Sequence, residues 1–206
     1  NVDTIAGMIA VLLGYLAGSV PFAFLLARRR GIDVRRVGSG NVGAANVMRT
    51  TGTGRAVAVV ALDVAKGAAA VGLAHLTSTG VPLIAATGAA AIVGHIYPVW
   101  LRFHGGKGVA VAAGVFTVLA PLATAIAAAL FVLTVWATRY VSLGSVAASV
   151  ALPPVAWLAG APGPIVGAAS GSAALILFRH RANLSRLRAG TERRMSRQRL
   201  ASDVAR

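Results

Sequence analysis

Six long apolar stretches dominate the chain, at residues 4–27, 56–76, 81–101, 109–138, 143–159 and 164–178, and the polar residues collect between them. These runs approach or exceed the ~20 residues that carry a helix across hydrocarbon. The pattern predicts an all-α fold: a polytopic bundle of transmembrane helices. The fourth run is anomalous. As one helix it would be about 45 Å long, against a hydrocarbon core of about 30 Å, and Pro121 falls near its middle.

The placement of charge resolves the anomaly. Arg28, Arg29, Arg30, Arg35, Arg36, Arg49 and Arg55 crowd the first connection, and Arg102 and Lys107 follow the third run. Arg139 follows the fourth run, and the stretch after Phe178 carries a further dense set of arginines. The connections at 75–80 and 160–163, and the residues around Pro121, carry no Lys or Arg. Basic loops mark the cytoplasmic side. All of them fall on one side only if 109–138 crosses twice, as a hairpin turning near Pro121. The expectation is therefore seven spans, with the N-terminus outside and the C-terminus cytoplasmic. Residues 1–192 would form one transmembrane domain and 193–206 a basic cytoplasmic tail.

Composition agrees: 57% of residues are hydrophobic, 12% are charged, and the mean hydropathy is +0.76. A soluble domain carries about 25% charged residues. The net charge of +15 would suggest nucleic acid in a soluble protein, but here it follows the loops, and no nucleic-acid partner is expected. No cysteine is present, which excludes thiol catalysis, disulfides and cysteine metal sites. The first apolar run lacks a basic leader and an A-x-A site, so it reads as a retained helix.

Three polar clusters could carry chemistry. Gly38-Ser39-Gly40-Asn41-Val42-Gly43 has the form G-x-G-x-x-G, but no strand precedes it and a transmembrane helix comes next, so the dinucleotide reading fails. What survives is a glycine loop able to close backbone N–H groups on an anion. Ser39, Asn41, Asn46 and Arg49 lie nearby, with Arg49 suited to a bidentate phosphate contact. The plain alternative is a tight turn. The second cluster, Arg102-Phe103-His104-Gly105-Gly106-Lys107-Gly108, sets glycines and an ammonium before a helix N-terminus, an anion cradle or merely a flexible basic turn. Third, His180, Asn183 and Arg186 share a helical face ahead of Gly190-Thr191-Glu192; a basic segment on anionic headgroups would look similar.

Asp63 and Lys66 lie inside the second run at i,i+3, where an ion pair locking helix packing is the favoured reading over a functional one. His95, ahead of Pro98, reads as a hydrogen-bonded packing residue. No His or acidic pair has metal-ligand spacing, so neither metal nor cofactor is expected. The H-x-x-x-x-D signature of common glycerolipid acyltransferases is missing, because Gly80, Trp100, Val109 and Ser185 occupy the fifth positions after the four histidines.

Taken together, the clusters resemble the bacterial acyl-phosphate:glycerol-3-phosphate acyltransferases, the PlsY family. The resemblance rests on Gly18-Ser19-Val20-Pro21, on Gly38 through Asn46 and Arg49, and on Gly94-His95 through Lys107-Gly108-Val109-Ala110. It extends to Arg139-Tyr140-Val141-Ser142 and to His180-x-x-Asn183-x-x-Arg186-x-x-x-Gly190-Thr191-Glu192. Ala45 departs from the family's usual Thr. The resemblance implies acyl transfer from acyl phosphate to the 1-hydroxyl of glycerol 3-phosphate, giving lysophosphatidic acid and phosphate, the first acylation of phospholipid synthesis. It implies an inner (plasma) membrane location, with membrane lipids around the enzyme and transient contact with the soluble enzyme that makes acyl phosphate. It assigns Ser39, Arg49, Lys107, Ser142, His180 and Asn183 to catalysis. Gly38, Gly40, Asn41, Asn46, Gly105, Gly106, Gly108, Arg186 and Glu192 are assigned to substrate binding, the glycines after His104 holding acyl phosphate. His180 and Asn183 would chiefly position phosphate, with the substrate's own phosphate assisting proton transfer. The competing class is a transporter for a small phosphorylated anion, which should bind near the midplane on broken helices.

Overall fold

In a computed structural model, residues 2–77 and 80–195 are described, and among them every regular element is helical. The helices are α1 (Val2–Ser19), α2 (Phe22–Arg28), α3 (Ala44–Thr51), α4 (Thr53–Leu76), α5 (Val81–Ile96), α6 (Val109–Leu119), α7 (Pro121–Thr138), α8 (Val141–Leu158), α9 (Gly163–Arg179) and α10 (Arg181–Arg188). A single 3-10 turn, Val99–Leu101, follows α5.

Among the described residues, five stretches are long and apolar enough to cross a membrane: Ile5–Arg28, Thr53–Leu76, Val81–Leu101, Pro121–Thr138 and Val141–Leu158. The apolar helices α6 and α9 are shorter. The run 109–138 breaks at Ala120, immediately before Pro121, as the over-long stretch required. Proline cannot donate into the preceding turn but is well suited to the first turn of the next helix.

Two features differ from expectation. The first run is not one helix, because Val20 and Pro21 separate α1 from α2. The glycine loop does not lead straight into a transmembrane helix either. The short amphipathic α3 intervenes, with Asn46 and Val47 buried and Arg49 in its last turn. Pro153 and Pro154 sit inside α8 without ending it, as membrane helices tolerate where neighbours reshape the freed backbone.

In the bundle α1 lies along α5, α4 along α6 and α7 along α8, with α8 beside α9. Small residues permit these approaches: a Cβ on Gly94 of α5 would run into the backbone of α1 at Tyr15. Without a hydrophobic drive between helices in lipid, such close backbone contact supplies much of the packing. The buried core joins Val71, Ile92, Ile96, Val111, Val115 and Phe116. Large apolar side chains such as Ile5, Leu12, Val132, Leu133 and Trp157 face outward, as hydrocarbon surroundings require. Of the tail expected at 193–206, residues 196–206 lie outside the described region.

Candidate active site

The loops between α2 and α3 and between α5 and α6, together with the turn from α9 into α10, close over one end of a cavity of about 1300 Å³. Ser39, Arg49, Lys107, Ser142, His180 and Asn183 all line it. So do Gly38, Gly40, Asn41, Asn46, Gly105, Gly108, Arg186 and Glu192. Residues from five separate stretches of sequence thus meet in one place.

Glu192 knits the far side together. Its Oε1 accepts from the Asn183 side-chain amide at 2.6 Å and from the Ser142 hydroxyl at 3.0 Å, and its Oε2 accepts from Arg186 Nε at 2.7 Å. Lys107 Nζ donates to Asn183 Oδ1, so the glycine loop is joined to the same network. The chain reaches this position because it turns back after α10: Met195 N–H donates to the Arg139 carbonyl and Arg194 Nε donates to the Tyr140 hydroxyl, both at 2.9 Å. The Arg139–Ser142 stretch and the Gly190–Glu192 stretch are therefore two halves of one structure.

Electrostatics at this end favour anions. Arg35, Arg36, Arg49, Arg102, Lys107, Arg179, Arg186 and Arg193 line the cavity against two acids, Asp63 and Glu192. Burial lowers the Lys107 ammonium to about 8; Glu192 opposes this, while Arg186, Arg49 and Arg179 reinforce it. Burial also lowers Arg49. Burial by itself would raise Glu192, yet the hydrogen bonds from Asn183, Arg186 and Ser142 outweigh it and hold the carboxylate below its ordinary range. Two buried cations lowered in this way, among so many others, mark a site suited to negative charge.

His180 is 2% exposed and lowered to about 4, first by burial and then by Lys107. Its Nδ1 lies 2.8 Å from the Ile176 carbonyl, so Nδ1 carries the proton and Nε2 of the neutral ring is an acceptor. This redirects the expected contact. Without a bound anion the ring offers a lone pair, suited to a hydroxyl, and cannot donate from Nε2 to a phosphate.

Three sequence expectations need correction. Asn46 is 1% exposed, and its amide is consumed inside the first loop. Its Nδ2 donates to the carbonyls of Val34 at 2.8 Å and Val37 at 3.1 Å, and its Oδ1 accepts from the Ser39 N–H at 2.8 Å. It shapes the loop that presents Ser39, its own amide already bonded to that loop's backbone. Gly106 does not line the cavity; it packs against the His95 ring. The N–H groups of Gly105 and Gly106 are likewise spent, donating to the Ile96 and His95 carbonyls at 3.0 and 3.1 Å. The anion-binding end begins one residue later. Among the described residues, no acceptor meets the N–H groups of Gly108, Val109 and Ala110, which open α6 on the cavity wall. A helix start of this kind carries partial positive charge. Arg179, which the sequence reading passed over, also lines the cavity, donates to the Gly105 carbonyl at 3.2 Å and lies 5.7 Å from the Tyr97 ring centre.

Below the polar rim the cavity is apolar. Phe116, Ala127, Ala128, Phe131, Ala148, Leu152 and Ile176 line it. Three of the hydroxyls there bond back to their own helices, Thr124 to Ala120, Ser145 to Val141 and Ser149 to Ser145 at 3.0, 2.9 and 2.7 Å. The lining therefore presents little unsatisfied polarity. From Ser142 down α8 to Leu152 the wall runs about 15 Å. The described residues hold no group of three His, Cys, Asp or Glu that could bind a metal.

Comparison with known proteins gives a consistent result. The family pattern described as glycerol-3-phosphate acyltransferase matches residues 8–190. The glycerol-3-phosphate acyltransferase of Myxococcus xanthus is 47% identical over 89% of this chain and 97% of its own. That of Rubrobacter xylanophilus is 46% identical over 91% and 94%. The crystal structure of PlsY, an integral membrane glycerol 3-phosphate acyltransferase, in its glycerol 3-phosphate form superposes with a TM-score of 0.90. It is 37% identical, covering 95% of this chain and 98% of that one.

Proposed function

Because the chain belongs to the glycerol-3-phosphate acyltransferase family of integral membrane enzymes, we propose that it transfers a fatty acyl group from acyl phosphate to the 1-hydroxyl of glycerol 3-phosphate, releasing phosphate and leaving lysophosphatidic acid. The observation that carries this reading is the division of the cavity: a cationic rim joined directly to an apolar pit about 15 Å deep. The two proposed substrates bring two phosphates and one greasy chain, the same mixture.

In this reading the Lys107 ammonium and the N–H groups that open α6 hold the acyl phosphate, its chain lying between α6, α7, α8 and α9. Arg49 and Ser39 face the phosphate of glycerol 3-phosphate from the other side. Asn183, fixed by Glu192 and Lys107, orients the acceptor, and His180 Nε2 accepts a hydrogen bond from its hydroxyl. The oxygen of that hydroxyl attacks the acyl carbonyl and the C–O bond to phosphate breaks, with phosphate leaving. The donor is a mixed anhydride, so no covalent intermediate on the protein is needed. Catalysis reduces to positioning two anions and stabilising charge that builds on the carbonyl and the departing phosphate. A His180 lowered to about 4 is a weak base, which favours the substrate phosphate as the proton's destination.

The same reading takes the bundle as seven crossings with these loops on the cytoplasmic face of the inner membrane, where the charged acceptor is found. The test is direct. Purified protein in detergent is given glycerol 3-phosphate with either acyl phosphate or acyl-CoA. Lysophosphatidate from acyl phosphate alone supports the assignment; product from acyl-CoA at a comparable rate overturns the donor.

A further inference from the structure

Within the membrane-spanning helices sits a charged cluster that the reaction above does not use. Lys66 Nζ is 2.8 Å from Asp63 Oδ1 and donates to the Val20 carbonyl at 2.8 Å, in the break between α1 and α2. It also lies 3.1 Å from His95 Nδ1 on α5. All three side chains are buried, at 3%, 8% and 8% exposure for Asp63, Lys66 and His95. An ion pair in hydrocarbon needs compensation for its lost hydration. A simple helix lock would need only the pair and Val20. The third contact goes further: an ammonium donating to Nδ1 places the imidazole proton on Nε2, the edge that faces Gly106. There the ring and loop are so close that a Cβ on Gly106 would collide with Nε2. Gly105 and Gly106 are strapped to the carbonyls of Ile96 and His95 itself. Lys107 is the next residue.

We propose that Asp63, Lys66 and His95 form a positioning network that sets the height of the 105–108 loop, and with it the Lys107 ammonium and the start of α6, over the cavity. Asp63 fixes Lys66, Lys66 fixes the orientation of the His95 ring, and the ring is the floor on which Gly106 rests. None of the three needs to touch substrate. This rests on the reading that the 105–108 loop holds acyl phosphate while Arg49, Asn183 and His180 hold glycerol 3-phosphate. Losing the network should then move one substrate and spare the other.

His95→Asn is the sharpest probe, because its amide still reaches the Lys66 position and keeps the helices pinned, while nothing remains under Gly106. In purified, folded protein the KM for acyl phosphate is expected to rise by about tenfold or more, with the KM for glycerol 3-phosphate nearly unchanged. Gly106→Ala should be severely impaired, since its new methyl strikes the ring. In the His95→Asn background the two ring contacts are gone and only the Val42 carbonyl, 2.9 Å from that methyl, still opposes it, so the double variant should outperform Gly106→Ala alone, a non-additive cycle. Replacing the pair together, Asp63→Leu with Lys66→Met, should reproduce the acyl phosphate defect without leaving an unpaired charge. Additive effects in the cycle, or an equal rise in both KM values, would overturn the network. If instead the parent chain were inactive with acyl phosphate, the donor reading would fail and carry this inference with it.

Discussion

Glu192→Gln isolates what a single carboxylate contributes among so many cations. The change preserves shape and one acceptor oxygen, so Asn183 and Ser142 keep a partner. It removes the negative charge and turns the second oxygen into a donor facing Arg186 Nε, which now lies 2.7 Å from its acceptor. A hydrogen bond to a charged group contributes about 1.5–3 kcal/mol. If that loss is felt fully in the transition state, kcat/KM should fall by roughly 10- to 150-fold. A second signature is independent of that size. Glu192 raises the Lys107 ammonium, which even so sits at about 8. Catalysis that needs the charged amine should decline as pH rises through about 8, and removing the carboxylate should move that decline to lower pH. The measurement is kcat/KM between pH 6 and 10 by phosphate release, for the parent and for Glu192→Gln. An alkaline limb that stays in place, or a variant within threefold of the parent, would refute the argument that Glu192 tunes Lys107.

Arg49→Lys keeps the charge but loses the planar fork, and should remain strongly defective; Arg49→Ala should lose about 2–5 kcal/mol of transition-state binding. Near-normal kcat/KM in folded Arg49→Ala and Lys107→Ala would leave both loops as scaffolding. His180→Gln and His180→Asn should retain substantial turnover, with the loss mainly in the KM for glycerol 3-phosphate. A fall in kcat of about 10³-fold at unchanged KM would make His180 the general base and overturn substrate assistance. For topology, single cysteines placed in this cysteine-free chain and probed on whole cells should label from outside at Thr77 and Ala161 and be protected at Ser39 and Ser185; external labelling at Ser185 would end the odd span count.

The helical bundle was legible because lipid enforces a coarse rule: long apolar runs must be helices, and a run too long must break, as it does at Ala120–Pro121. The break at Val20–Pro21 carries the same kind of signal, a proline within an apolar run, but a weaker one. The run there had an acceptable length, and what stabilises the freed carbonyl is Lys66, far away in sequence. The candidate site was legible at the level of residue type, since loops rich in Gly, Arg and Lys on one side of a membrane suit anions. Which groups remain available was not. Asn46 looks like a ligand until its amide is seen donating to Val34 and Val37, and Gly105 and Gly106 look like free donors until Ile96 and His95 take their hydrogens. Hydrogen-bond accounting is a three-dimensional sum, and sequence spacing gives only the local part of it.

At 11 residues, α6 rises only about 16 Å, roughly half the thickness of the hydrocarbon. Its amino end and the break at Ala120 can therefore both reach a water interface only where the bilayer is thinned. On the proposed reading, an anion gathered at that amino end sits below the headgroup plane or beneath a local dimple in the leaflet. An activated acyl donor is most easily lost to stray hydrolysis. On the proposed reading, seating its reactive carbonyl at such depth keeps bulk water scarce there while the tail never leaves the oily phase. In the proposed reaction the short helix acts as a depth gauge, letting a charged, water-loving acceptor come down to meet the lipid instead of drawing the lipid out.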